Sequence, residues 1–187
     1  MPFRQSLTAR SLAAFVLVVP ILGVSAGCGG TQTVVAEGEQ HPLVGTKAPE
    51  LTVEPVSGEG PTSLADASGR VVIIDFWATY CAPCKKSFPK YQELSDQFGG
   101  DLAIIAVSLD DPEDATKEQI EEFATTAGVK FAITWDKDRT AAPKYTPPKM
   151  PTSFIIDKEG VVRHMHAGYE SGEEVKIAAE IEALLKK

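Results

Sequence analysis

Apolar residues cluster along the chain in runs of two kinds. Val71-Val72-Ile73-Ile74 and Leu102 to Leu109 are short, almost wholly apolar and rich in β-branched side chains, which predicts strands buried on both faces of a sheet. Lys85 to Phe98 instead spaces Phe88, Tyr91, Leu94 and Phe98 three or four apart, the stripe of an amphipathic helix that Gly99-Gly100 ends. Strand, helix and strand in that order require a right-handed parallel crossover, and hence an α/β fold.

The same reading extends in both directions. Asp111 predicts an N-cap, with Pro112 at the first helical position, Glu113 and Asp114 in the first turn, and Ile120, Phe123 and Ala127 on the core face before Gly128 stops the helix. Phe131 to Trp135 is a further short strand, and Ala141 to Lys149 a loop containing prolines. Phe154 to Asp157 and Val161 to Ala167 flank Lys158-Glu159-Gly160 as a hairpin. Ser171-Gly172-Glu173-Glu174 predicts a capping box before a last helix that turns Val175, Ala178, Ile181 and Leu185 to the sheet. Upstream, Leu51 to Val56 and the stretch around Ser63-Leu64 predict short strands or a hairpin turning at Ser57 to Pro61.

The chain of 187 residues is 43% hydrophobic, enough for one domain with a core of its own. The first 27 residues read differently: Arg4 and Arg10 precede an apolar run from Leu12 to Leu22, and Ser25-Ala26-Gly27 supplies a small-residue cleavage site. That is an export signal, and the apolar run is short for a membrane span. Ser25-Ala26-Gly27-Cys28 resembles a bacterial lipobox, although Ser25 stands where an aliphatic residue is usual. The resemblance implies that Cys28 is lipidated and anchors the mature chain; an ordinary cleaved signal or a retained anchor are the alternatives. Residues 28–42, rich in Gly, Thr, Gln and Glu without periodicity, predict a flexible tether, and the globular domain is expected over 43–187. Losing Arg4 and Arg10 with the leader takes the net charge from −8 to −10, which argues against a nucleic-acid partner.

Cys81-Ala82-Pro83-Cys84 stands between the first buried strand and the first helix. A thiolate at a helix N-terminus is stabilised by the partial positive charge and free N–H groups there. Cys81 is expected at that N-terminus as the exposed nucleophile, its pKa lowered from ~8.5 toward ~7 or below. Cys84, expected one turn inside, is the resolving thiol, and the spacing lets the pair close a small disulfide. Taken alone, a Cys-x-x-Cys is also half of a zinc site, but no second ligand pair follows.

Asp75-Phe76-Trp77-Ala78 before Cys81, Cys84-Lys85 after it, Pro89 within the helix, Met150-Pro151-Thr152 before a strand, and Gly168 after the last strand together resemble the thioredoxin superfamily. The likeness is nearest to its membrane-anchored ResA/TlpA-like branch, related to the AhpC/TSA redoxins, and spans roughly residues 43–187. It implies a thioredoxin-like fold: a central mixed sheet flanked by helices, with an N-terminal strand extension and an inserted strand-helix unit. It implies a cis peptide bond before Pro151, facing Cys81. It further implies a shallow groove rimmed by Tyr80, Pro83, Met150, Pro151, Thr152 and Gly168, in which the Met150 backbone pairs with an extended client. Tyr80 stands where the family usually has Trp. Asp75, in an apolar strand, reads either as a solvated strand-end carboxylate or as a desolvated base for Cys84; thioredoxin has Asp at the matching position, where ResA/TlpA-like proteins often have Asn. Lys85 and Lys86 are either solvated or help lower the Cys81 pKa.

The expected chemistry is thiol-disulfide exchange without a cofactor. The expected setting is the bacterial cell envelope, with disulfide-containing exported proteins such as apocytochrome c as clients, a transmembrane thiol carrier as electron donor, and a monomeric, lipid-anchored enzyme. A disulfide oxidase or isomerase and a non-catalytic binding or chaperone module are the alternatives. A peroxidase would need Pro and Thr or Ser seven and three residues before its cysteine, where this chain has Ile74 and Ala78. A copper carrier of the Sco type would need one more residue between the cysteines. His164 and His166 share one face of a strand, and read as polar residues alternating outward on a surface strand rather than as a metal site.

Overall fold

The computed structural model describes residues 41–187. The leader, Cys28 and the tether as far as residue 40 lie outside the described residues. Among those described, no helix is long and apolar enough to cross a membrane.

The elements follow in the order β1 (Glu54–Ser57), β2 (Val71–Trp77), α1 (Cys84–Phe98), β3 (Leu102–Ser108), α2 (Lys117–Ala127), β4 (Ala132–Trp135), α3 (Ala142–Tyr145), β5 (Thr152–Ile156), β6 (Val162–Ala167) and α4 (Glu173–Leu185). They build a six-stranded sheet in the order β1-β4-β3-β2-β5-β6. β2, β3 and β4 are parallel, while β1, β5 and β6 join antiparallel. The expected mixed sheet, N-terminal strand and inserted strand-helix unit are therefore present.

Alternation along the central strands divides the core in two. Val71, Ile73 and Trp77 face a layer with Phe88, Tyr91, Ile120, Ile177 and Ile181 from α1, α2 and α4. Val72, Ile74 and Phe76 face the other layer, with Leu51, Tyr145 and Phe154. Asp75 shares the alternation of Ile73 and Trp77, so this carboxyl points into the α1 and α4 layer and is fully buried. The entry segment closes the far edge: Gly45 and Val162 exchange backbone hydrogen bonds with Val162 and Thr46, at 2.8 and 2.9 Å. At the start of the described residues His41 packs edge-on against Phe154 at 5.1 Å between ring centroids.

Four local expectations are corrected. No strand forms around Ser63-Leu64; of the upstream segment Glu54–Ser57 pairs with β4, and Glu59 adds an isolated bridge to Phe131. Gly58 makes that approach possible: its φ is +81°, and a Cβ there would lie 2.0 Å from the Phe131 carbonyl oxygen. The helix after β3 starts at Lys117 rather than at Pro112, capped by a reciprocal box between Thr116 and Gln119. Asp111 instead closes a turn, its carbonyl accepting from the amides of Asp114 and Ala115 and its carboxylate from Glu113 and Arg139. A short helix, α3, occupies part of the loop expected over 141–149, held by Asp136, whose carboxylate accepts from the amides of Thr140, Ala141 and Ala142. Ser171 forms no capping box with Glu174: α4 starts at Glu173 behind a left-handed Gly172, so Glu174 falls one position too early. The same frame turns Val175 out to solvent, 70% exposed, and puts Ile177, Ile181 and Leu184 inside.

Candidate active site

Cys81 and Cys84 form a disulfide, with Cα atoms 5.3 Å apart. Their places differ from the expected ones by a few residues. Cys84 is the first residue of α1, behind Pro83, and Cys81 lies in the turn before it. The helix still acts on Cys81, because the Cys84 amide donates to the Cys81 sulfur at 3.2 Å. Cys81 keeps a small exposed area, 6%, while Cys84 keeps none. Both cysteines are thus buried in the disulfide form, so the exposed position expected for Cys81 is corrected, and the pair differs in that Cys81 alone keeps a small accessible area and a helix amide on its sulfur.

The turn carrying Cys81 is tied down from a side the sequence did not suggest. Asp110, buried just past the end of β3, accepts from the Thr79 amide at 3.0 Å, the Thr79 hydroxyl at 2.6 Å and the Ser108 hydroxyl at 2.7 Å. Its carbonyl accepts from the Trp135 indole at 2.8 Å. Asp110-Asp111-Pro112 looks like the start of a helix, so the sequence signal at this position was absorbed by the wrong cap. Tyr80, between the anchored Thr79 and Cys81, stands 71% exposed.

The Met150-Pro151 bond is cis, as expected. Pro151 is buried and its carbonyl accepts from the Gly168 amide at 2.7 Å, while Met150 is half-buried against the α1 layer. Gly168 has φ +81°, and a Cβ there would meet the end of the Lys149 side chain. Thr152 departs from the expected groove: it is fully buried and its hydroxyl donates to the Lys149 carbonyl, so its side chain supports the segment from within. Pro83 is half-buried at the helix start. A cavity of about 610 Å³ is lined by Thr79, Lys85 and Pro89 on one side and Asp114, Gln119 and Phe123 on the other, and includes none of the cis-proline segment. Lys85 leans into it, its ammonium 5.8 Å from the centre of the Phe123 ring.

A polar chain sealed from solvent joins β2, β5 and α1. The Ser153 hydroxyl donates to Asp75 Oδ1 at 2.6 Å and stands 2.6 Å from the Tyr91 hydroxyl. Asp75 Oδ2 has no hydrogen-bond partner among the described residues. Burial raises the Asp75 pKa to about 7, against the Ser153 hydrogen bond, with the Glu173 charge adding to the rise. The reading of Asp75 as a solvated strand-end carboxylate is excluded.

The two histidines do share a face of β6, but α4 covers His166 there and leaves His164 half-buried. His166 is buried between α4 carboxylates, with Nδ1 3.2 Å from Glu173 and Nε2 2.7 Å from Glu180; His164 stands 3.6 Å from Glu180. Burial works against the charged imidazole, yet the two carboxylates outweigh it and hold His166 at about 9. Among the described residues, no group of three or more His, Cys, Asp or Glu side chains is arranged to hold a metal ion.

Comparison with known proteins agrees with this geometry. The AhpC/TSA family model matches residues 44–165, well over half the chain. The chain is 35% identical over 132 residues to the thioredoxin-like protein YneN of Bacillus subtilis, covering 71% of this chain and 76% of that one. It is 31% identical over 162 residues to the thiol-disulfide oxidoreductase ResA of Bacillus anthracis, covering 86% and 90%. A crystal structure from Chlorobium tepidum, assigned as the thiol:disulfide interchange protein DsbE, superposes with a TM-score of 0.66 at 30% identity, covering 76% of this chain and 97% of that one. The fold is thus thioredoxin-like, and the chain belongs to the AhpC/TSA family as a ResA-like thiol-disulfide oxidoreductase.

Proposed function

We propose that the protein is exported, held at a membrane of the bacterial cell envelope through a lipid on Cys28, and reduces disulfides in other exported proteins, apocytochrome c among them. The carrying observation is the asymmetry of the pair: the Cys81 sulfur accepts a helix amide and Cys81 keeps a small accessible area, while Cys84 keeps none. The leader sequence and the ResA and DsbE relatives support the setting.

In the reduced enzyme the Cys81 thiolate attacks one sulfur of the client disulfide, forming a mixed disulfide and releasing the other client sulfur as a thiolate. Cys84 then gives its proton to Asp75 and attacks the Cys81 sulfur. The Cys81–Cys84 bond forms, the mixed bond breaks, and the client leaves with two electrons gained. A transmembrane thiol carrier returns the enzyme to the dithiol. Tyr80, Pro83, Met150, Pro151 and Gly168 form the client surface, with Met150 supplying backbone pairing.

The test is the reduction potential of the Cys81–Cys84 pair in the soluble domain, equilibrated with glutathione or thioredoxin. A value of about −250 mV or below places it with reductants such as thioredoxin at roughly −270 mV. A value of about −120 to −180 mV makes it an oxidase or isomerase and overturns the direction proposed.

A further inference from the structure

Three buried groups from three elements meet at Asp75, and the general base needs only one of them. Asp75 lies on β2, Ser153 on β5 and Tyr91 on α1, each no more than 1% exposed. Each hydroxyl carries a single proton, and an ionised carboxylate can only accept. With Asp75 ionised, Ser153 must therefore donate to Oδ1, and Tyr91 must donate to Ser153. The chain has one direction and ends on one oxygen. Oδ2 is left as the oxygen with unused lone pairs.

We propose that Ser153 and Tyr91 are positioning residues that hold Asp75 by Oδ1 and so assign proton uptake from Cys84 to Oδ2. The inference rests on the reading of Asp75 as the base. A proton arriving on Oδ2 leaves every bond of the chain in place, so uptake and release require no rotation of the Ser153 or Tyr91 hydroxyl. A carboxyl held by neither oxygen would present both, with no preferred one.

The chain also opposes its surroundings. Burial and the Glu173 carboxylate, from the start of α4, favour the protonated form of Asp75, while the Ser153 hydrogen bond favours the ionised form. The other titratable groups on this side are His166, which lies between Glu173 and Glu180, and Tyr169, which donates to Glu174 at 2.7 Å. His166, held protonated at neutral pH by the two carboxylates, thus stands beside Glu173. Removing the Ser153 hydroxyl takes away the donor that stabilises the ionised carboxylate and shifts the balance toward the proton.

The experiment is stopped-flow reduction of an aromatic disulfide by the reduced protein, following the second phase, in which Cys84 resolves the mixed disulfide, from about pH 5 to 9. The wild-type phase rises with a limb that Asp75→Asn abolishes. Ser153→Ala moves that limb up by about one pH unit and slows the phase about fivefold at pH 7. Tyr91→Phe moves it the same way by less, and Ser153→Thr, which keeps the hydroxyl, returns it toward the wild-type position. Carboxyl carbon NMR of Asp75 reads the same displacement without turnover, in whichever of the two hydroxyl-deletion variants folds. A limb lost in Asp75→Asn but unmoved by Ser153→Ala and Tyr91→Phe overturns this proposal alone. A limb that survives Asp75→Asn overturns the base reading on which it stands.

Discussion

The amide of Cys84 points at the sulfur of Cys81, 3.2 Å away, although Cys84 is itself the first residue of the helix. The partial charge of the helix end is thus delivered to the preceding cysteine through one N–H group. In the reduced protein this favours the thiolate at Cys81 alone. Limited alkylation of the dithiol at neutral pH, read by peptide mass spectrometry, is expected to label Cys81 well before Cys84. Cys84→Ser is expected to accumulate a mixed disulfide with its client, and Cys81→Ser to form none. Equal labelling of the two would remove the assignment of nucleophile and resolving thiol.

Asp75 makes stability depend on pH in a defined window. Its pKa rises from the ordinary 3.8 to about 7 on folding, so between those values the folded protein holds a proton that the unfolded chain has lost. Stability therefore falls as pH rises from about 4 to about 7, by roughly 4 kcal/mol at most. Asp75→Asn removes this loss but leaves an amide N–H₂ where Oδ2 has no partner, which costs about 1–3 kcal/mol. The expected net result above pH 7 is a variant more stable than wild type by about 1–3 kcal/mol, measured by urea unfolding. Near pH 4 the gain is gone and the cost remains, so the variant should there be the less stable by about 1–3 kcal/mol. A variant that is less stable at pH 8 would contradict the raised pKa.

His166 acts in a higher window. Its folded pKa of about 9 lies above the ordinary 6.5, so its contribution is complete below pH 6.5 and is lost as pH rises through 9. The loss is roughly 3 kcal/mol. His166→Gln is expected to flatten the stability profile between pH 6.5 and 9 while leaving the Asp75 window below pH 7 in place. Denaturant midpoints at pH 6, 7.5 and 9 would separate the two groups.

The strands and the first helix were legible because a β-branched run such as Val71 to Ile74 and a stripe such as Phe88, Tyr91 and Leu94 encode burial directly. The dithiol and the cis-proline segment were legible because each is contiguous in sequence. Asp110, Ser153 and Tyr91 were not, since each acts through a partner brought near only by the fold: Thr79 is 31 residues from Asp110, and Ser153 is 62 from Tyr91. The misread caps have a related cause. Asp111-Pro112 and Thr116-x-x-Gln119 are both acceptable helix starts, and the contacts of Asp111 with Arg139 and the Asp114 and Ala115 amides decide between them. His166 was misplaced because alternation gives its face but not what covers that face.

Asp110 should matter more than its position outside the dithiol suggests. Its carboxylate accepts from three donors, two of them on Thr79, two residues before Cys81. Asp110→Ala leaves those donors unsatisfied in a buried place, at a cost of about 2–4 kcal/mol. It also frees the turn that presents Cys81. Lower urea midpoints are expected together with faster proteolysis at Thr79-Tyr80. Loss of stability with unchanged cleavage would assign Asp110 to the core alone.

Among the described residues Tyr80 is the one exposed large aromatic, at 71%, and it directly precedes Cys81. An exposed ring costs solubility and adds little to folding, whereas at an interface an aromatic anchor commonly contributes 1–2 kcal/mol. Its neighbour Thr79 is fixed by Asp110, so the ring is offered from a held backbone rather than from a mobile loop, which lowers the entropy lost on docking. Tyr80→Ala is therefore expected to raise the KM for a protein disulfide by about five- to thirtyfold, with a much smaller effect on a small aromatic disulfide that reaches Cys81 without spanning the ring. Tyr80→Trp, which restores the residue usual in the family, is expected to keep the protein KM low. Equal losses on large and small substrates would mean that Tyr80 shapes the cysteine rather than the client surface.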